Sequence, residues 1–273
     1  MLATSSLPTS SKGGAPSATL AGSAIKTNAR ASIDFNAKLA TTRALLAQAA
    51  QDYAPVSEGA ARLITQASSL GAEDMVISHL INQLPAALAG SIGIFVLETG
   101  QLHAETLQVL AELKETSRAP VDVYRPLAET VVQFVAREGK DAMYKSIDLR
   151  KACCDIRKME PLARALTGKK AWVTGLRREQ SGARAEVPLV DTSEKRVKIN
   201  PLANWTWGDV WHTIQANKLD YNPLHDQFFP SIGCEPCTRA ISLGEDFRSG
   251  RWWWEDEAAK ECGLHVKHEE IKA

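Results

Sequence analysis

Arg62-Leu-Ile-Thr-Gln-Ala-Ser-Ser-Leu-Gly-Ala-Glu-Asp-Met-Val-Ile-Ser-His-Leu-Ile81 reads as strand, turn and helix in one unbroken run. Residues 62–67 form a short strand. The small residues that follow make a turn, and Met75 opens a helical pattern. Such a turn presents backbone N–H groups, and the helix start behind it adds partial positive charge. The unit is therefore a candidate anion site. Glu73 and Asp74 stand in the first helical turn, where acids ordinarily cap a helix, and Asp74 reads as such a cap.

The same alternation extends in both directions. Upstream, Phe35, Leu39, Leu45 and Leu46 line one face of a helix that ends near Tyr53. Downstream, Ser91–Leu97 is a buried strand followed by a helix to about Ser117. Val121–Tyr124 and Ala171–Gly175 are further strands, and Pro126 opens another helix. Strands separated by helices predict an α/β fold with a doubly wound, mostly parallel sheet. Ligands bind such sheets at the C-terminal ends of the strands. Three turns there carry hydroxyls, amides and arginines suited to a nucleotide: 68–74, 98–105 and 177–181. The sheet is expected to end near Glu186, with residues 187–202 forming two edge strands around a polar turn. Residues 205–219 predict a helix capped by Thr206, with Trp207, Val210, Trp211 and Ile214 facing the core.

The chain has 273 residues, ample for a buried core, and balances 32 basic against 32 acidic side chains. That balance gives no case for nucleic acid or for an anionic membrane. No apolar run approaches membrane-spanning length. Residues 1–33 are rich in Ser, Ala, Thr and Gly and carry no acid. They predict a disordered extension, either on a bacterial cytoplasmic protein or as an organellar transit peptide.

Five cysteines in a chain of this size point to a reducing compartment and to metal or catalytic use. Cys153 and Cys154 are adjacent, Cys234 and Cys237 form a Cys-x-x-Cys, and Cys262 stands alone. Neighbouring side chains diverge, so an adjacent pair fits poorly around one tetrahedral ion. A cubane cluster accepts divergent ligands, and an iron–sulfur cluster is favoured over structural zinc. Buried thiols and a redox pair are the alternatives. Cys262 has Lys260, His265, Lys267 and His268 around it, which favours thiolate, the nucleophilic form. An idle tail cysteine is the other reading. The run Trp252-Trp-Trp cannot face one core throughout, so at least one of its rings is exposed or packs on a ligand or partner.

Four segments together resemble the assimilatory adenylyl-sulfate (APS) reductases. They are Lys-Ala-Cys153-Cys154-x-x-Arg157-Lys158, Gly-Leu-Arg-Arg-Glu-Gln-Ser, Gly-Cys234-x-Pro-Cys237-Thr and Glu-Cys262-Gly-Leu-His265. The resemblance runs from about 55 to 268. It implies the ATP-pyrophosphatase-like (adenine nucleotide alpha hydrolase-like) α/β fold and a [4Fe–4S] cluster on Cys153, Cys154, Cys234 and Cys237. It implies that Cys262 is the nucleophile, and that Lys158, Arg248, Arg251 and His265 hold the sulfate and phosphate end of the substrate. Ser68, Ser69, Gly71, Glu73, Thr99, Gly100 and Leu102 match motifs that hold the adenylate, and Arg177 and Ser181 are weaker transfers. The implied reaction reduces APS to sulfite and AMP through a Cys262 S-sulfonate.

Plant members carry a glutaredoxin-like domain that this sequence lacks, so the expected donor is separate thioredoxin, as in the bacterial form. The resemblance further implies a cytoplasmic homo-oligomer, a dimer or tetramer. The expected organisation is an extension over 1–33, an α/β nucleotide- and cluster-binding domain over 34–250, and a mobile tail over 251–273 carrying the catalytic cysteine. Three other readings stay open: reduction of the 3′-phosphorylated substrate PAPS, an adenylyltransferase of the same fold, and a zinc-stapled nucleotide-binding module without catalysis.

Overall fold

A computed structural model describes residues 23–256 apart from positions 56, 58 and 89. Cys262 and His265 lie outside the described residues. Six strands form one sheet in the order β3-β2-β1-β4-β6-β5. They are β1 (Ile64–Ser68), β2 (Ile92–Leu97), β3 (Val121–Tyr124), β4 (Ala171–Val173), β5 (Val190–Asp191) and β6 (Val197–Ile199). All neighbours are parallel except β5 and β6. The register pairs Ser68 with Val96, and Gln66 with both Ile94 and Val173. The chain steps outward from β1 through β2 to β3, then returns to place β4 on the other side of β1. The order thus reverses at β1/β4, and a crevice opens at the C-terminal ends of these strands.

Both faces of the sheet are covered. Alternate residues Ile92, Ile94 and Val96 of β2 join Ala171 and Val173 of β4 in the main core. That core includes side chains of α2 (Phe35–Asp52), α3 (Ala72–Asn82), α4 (Ala104–Thr116) and α8 (Trp207–Asn217). The opposite registers, Phe95 and Trp172, pack on Leu162, Ala165 and Leu166 at α7 (Glu160–Ala165). A smaller core of Phe134, Met143, Trp252 and cysteines lies between α5 (Ala128–Glu138) and α6 (Ile147–Cys154). No helix among the described residues is long and apolar enough to cross a membrane.

The predicted helices and strands stand close to their expected places, with three corrections. The sheet does not end at Glu186. Of the two strands expected at this edge only β5 lies on it, because β6 pairs in parallel with β4 and buries Lys198 and Ile199. The extension is not disordered through residue 33. Ser23–Asn28 form α1, and Ala24 is buried against the region of α8. A tail does not begin at 251, since Arg251, Trp252 and Glu255 are buried. The tryptophan run behaves as expected: Trp252 is 1% exposed and Trp253 39%. Thr206 caps α8 as predicted, accepting from Asp209 N while the Asp209 carboxylate accepts from Thr206 N.

Candidate functional site

The cleft at the β1/β4 ends has a volume of about 210 Å³. Its floor is the turn between β1 and α3. Leu70 there is fully buried with φ +64°, a conformation costly for a leucine and held by its surroundings. Ser68 Oγ accepts from Leu70 N at 3.2 Å. Asp74 Oδ2 accepts from Ser69 N at 2.6 Å and from Ser69 Oγ at 2.7 Å, so Asp74 ties back the turn ahead of α3, while the N-cap position that the sequence reading gave to it is held by Gly71. Burial nevertheless pushes its carboxyl up to about 7, against the pull of those hydrogen bonds. Gly175, just after β4, lets the two strand ends approach. A Cβ there would stand 2.5 Å from Asp74 Oδ1.

Ser68, Ser69, Gly71, Glu73, Thr99 and Leu102 line this cleft, as do Lys158, Arg248 and Arg251. Three other sequence candidates do not. Arg177 is 1% exposed and sits behind the wall, where its Nε donates to Glu73 at 3.0 Å and its Nη1 to Glu179 at 2.8 Å. It reaches the cleft only by orienting Glu73, which also accepts from Gln180 Nε2 at 3.0 Å. Ser181 lies beside Gln180 but off the cleft wall. Gly100 faces away, in a surface groove with Glu98 and Arg125. Its φ of +70° and its Cβ position, 3.2 Å from Arg157 Nη1, both favour glycine there.

The structure adds residues that the sequence reading missed. Thr174, Leu176, Gln180, Arg184, His225 and Phe247 also line the cleft. His225 lies in the loop Asn222-Pro-Leu-His-Asp, whose turn is closed by Leu224 N donating to Asn222 Oδ1. A histidine in so defined a turn was a signal, but nothing local relates it to a loop 153 residues away in sequence.

Arg251 is the cation best placed by its surroundings. Its Nη1 donates to Ile232 O at 3.1 Å, its guanidinium lies 4.8 Å from the Trp252 ring centre, and Gly233 leaves room for it. Arg251 is 8% exposed, and its Nε has no hydrogen-bond partner among the described residues. A buried donor of this kind, on the wall of a cleft, is suited to an anion.

Beside the cleft lies the cysteine cavity. Ser146 caps α6 by accepting from Leu149 N, and α6 delivers Cys153 and Cys154 at its end. The helix then widens into a π-turn over Asp155–Met159 before α7. Lys158, four residues after Cys154, therefore stands on a π-turn and not on a plain α-helical turn. The second pair stands on the turn Glu235–Cys237, which is docked on the first half of the chain. Glu235 N donates to Gln101 O at 2.7 Å, and Cys234 pairs with Leu102.

Cys153, Cys154, Cys234 and Cys237 line one cavity with Arg150, Arg157, Lys158 and Trp252. Burial raises the Cys153 thiol above its ordinary value and pushes Cys237 up to about 11. Ionised sulfurs here call for a cationic partner, which cluster iron supplies. Four soft donors around one apolar, cation-rimmed cavity fit an iron–sulfur group. Among the described residues, no three Cys, His, Asp or Glu side chains converge as the ligands of a single ion do. Lys158 and Trp252 line both the cavity and the cleft, so they form the partition between them. Trp252 holds φ +42°, an outlier for a bulky residue, with Arg150 4.6 Å from its ring centre.

Residues 63–240 match the phosphoadenosine phosphosulfate reductase domain. The chain is 48% identical over 235 residues to an adenosine 5'-phosphosulfate reductase of Burkholderia cepacia, covering 85% of this chain and 89% of that protein. It is 50% identical over 206 residues to the enzyme of that name from Allochromatium vinosum, covering 74% and 78% respectively. Among solved structures it is similar to a phosphoadenylyl-sulfate (PAPS) reductase from Candida auris in a phosphate complex. The TM-score is 0.57 at 24% identity, covering 71% of this chain and 88% of that one. A Candida glabrata FMN adenylyltransferase with FMN and an ATP analogue gives a TM-score of 0.52 at 13% identity, covering 89% and 81%. These two structures establish the shared fold.

Proposed function

The chain belongs to the phosphoadenosine phosphosulfate reductase family, and from that premise we propose that it reduces adenosine 5'-phosphosulfate to sulfite and AMP in cytoplasmic sulfate assimilation, with thioredoxin as electron donor. The names of its relatives favour APS over the 3′-phosphorylated substrate. The observation that carries the reading is the partition. Lys158 borders both the cysteine cavity and the cleft, and Arg248 and Arg251 line the cleft with it.

Under this reading the turn 68–74 with Thr99 and Leu102 receives the adenylate, and the cations face the phosphosulfate. Attack on that group brings a thiolate toward a sulfur ringed by anionic oxygens. Fixed positive charge offsets the repulsion and stabilises the negative charge that develops on the leaving phosphate. The nucleophile is Cys262, six residues beyond Asp256. Six extended residues span about 20 Å at most. The Cys262 thiolate attacks sulfur, the sulfur–oxygen bond to phosphate breaks, and AMP departs with the electron pair. A thiolate of thioredoxin then attacks Cys262 Sγ and expels sulfite with the sulfur–sulfur pair. The second thioredoxin thiol resolves the mixed disulfide, so thioredoxin supplies both electrons. Cys153, Cys154, Cys234 and Cys237 would hold the [4Fe–4S] group. When bound it contributes local structure and electrostatic field, since the electrons come from thioredoxin. His265, outside the described residues, is assigned to the sulfate end by the resemblance alone.

The test is a single-turnover trap. Anaerobic protein free of reductant is incubated with sulfur-labelled APS or with labelled PAPS, then digested. Label on the Cys262 peptide from APS alone is expected. Label from PAPS as well would broaden the substrate, and an unlabelled Cys262 peptide in iron-replete protein would refute the mechanism.

A further inference from the structure

The segment just before α2 contributes no residue to the cleft, yet it is bonded to Asp226, the neighbour of His225, and to the first turn of α8. Ala24 N donates to Asp226 Oδ1 at 2.9 Å, both groups being buried. Tyr221 Oη donates to the same carboxylate at 3.1 Å. Arg30 N donates to Gly208 O at 3.3 Å, and Ser32 N and Oγ donate to the Asp209 carboxylate at 2.7 and 2.9 Å. Gly208 is what permits this approach, because a Cβ there would stand 2.3 Å from Arg30 O.

His225, next to Asp226, is held between α8, the Phe229 carbonyl and the start of α3. Trp207 and Trp211 of α8 meet its ring in T-shaped contacts, with ring centres 5.9 and 5.4 Å away. Its Nδ1–H donates to Phe229 O at 2.8 Å, which leaves Nε2 as an acceptor. That lone pair takes the Ala72 N–H at 3.2 Å. Ala72 is the first residue of α3 and ends the turn that floors the cleft. Burial favours the neutral ring that this arrangement requires.

We propose that residues 23–32 are a strap that seats His225, and that His225 is a positioning residue that holds the 68–72 turn in its substrate-binding shape. The choice of AMP as probe rests on the adenylate reading above, while the strap itself does not. Hydrogen–deuterium exchange of residues 68–75 reads the turn directly, and calorimetry reads AMP binding. The variants are a chain starting at residue 33, a chain starting at 23, Gly208→Ala, His225→Phe and His225→Gln. Gly208→Ala improves helix propensity in α8 while displacing the strap, so it separates strap loss from simple unfolding.

The chain from 33, Gly208→Ala and His225→Phe are expected to speed exchange in the turn and weaken AMP about tenfold, the weight of one buried hydrogen bond. KM for APS should rise with a smaller change in kcat. His225→Gln keeps an acceptor and should recover most of the affinity, and the chain from 23 should match the full protein. Unchanged exchange in folded Gly208→Ala protein and in the chain from 33 would overturn the proposal, as would equal losses on removing 1–22 alone. Faster exchange in a protein that never bound AMP would support the strap while refuting the substrate reading.

Discussion

Glu255→Gln is the most demanding test of how the cysteine cavity is joined to the C-terminal end of the described chain. Arg150 and Glu255 form a two-bond pair, with Nε and Nη2 donating at 2.9 and 2.7 Å. Their side chains are 1% and 2% exposed. Arg150 belongs to α6, the helix that delivers Cys153 and Cys154, and Glu255 immediately follows the tryptophan run. Glutamine preserves the shape but leaves a buried guanidinium without its counter-charge. Breaking a buried pair from one side costs about 3–5 kcal/mol. For a domain of this size each kcal/mol lowers Tm by about 2–4 °C, so a fall of roughly 6–20 °C is expected. Thermal unfolding followed by circular dichroism, under anaerobic conditions and at matched iron content, measures it. Arg150→Met combined with Glu255→Leu removes both charges and should recover most of the loss. A single variant melting within about 2 °C of the parent, or a double variant as unstable as the single, would refute the view that this pair is a mutually compensated buried clamp.

Two further outcomes follow from the cleft. Asp74 keeps its proton to about pH 7 when folded but releases it near 3.8 when unfolded. Between those values the folded state binds the extra proton, so stability falls as pH rises and levels off above about 7. Asp74→Asn removes that dependence. Its stability relative to the parent should increase between pH 4 and 7 by on the order of 4 kcal/mol, measured by urea unfolding at each pH. A constant difference would show that the carboxyl is ordinary. Gly233→Ala places a Cβ 2.4 Å from Arg251 Nη2 and must move that guanidinium. APS reduction should lose about 10²-fold in kcat, the scale of one misplaced charge-stabilising group, with iron content unchanged. Full activity would remove Arg251 from the site.

The sequence by itself determined the local units. The period of the apolar residues marked each long helix and each central strand, because both patterns follow from how one face is buried. The cysteine spacing and the resemblance it supports selected the metal-ligand candidates and nine of the residues that line the cleft. What the chain could not reveal locally was convergence. The β1/β4 crevice exists because the strand order reverses there, and strand order is set by packing over long separations. Lys158 and Trp252 became a shared partition only when two distant segments met, and the π-turn moved Lys158 off its plain helical phase. Arg177 looked like a ligand-facing arginine because its motif is exposed in form, yet tertiary burial turned it onto Glu73. The same physics ordered residues 23–33 against expectation. A short polar segment has too little apolar surface to fold alone, but Asp226, Asp209 and the bare backbone at Gly208 supply the contacts that hold it.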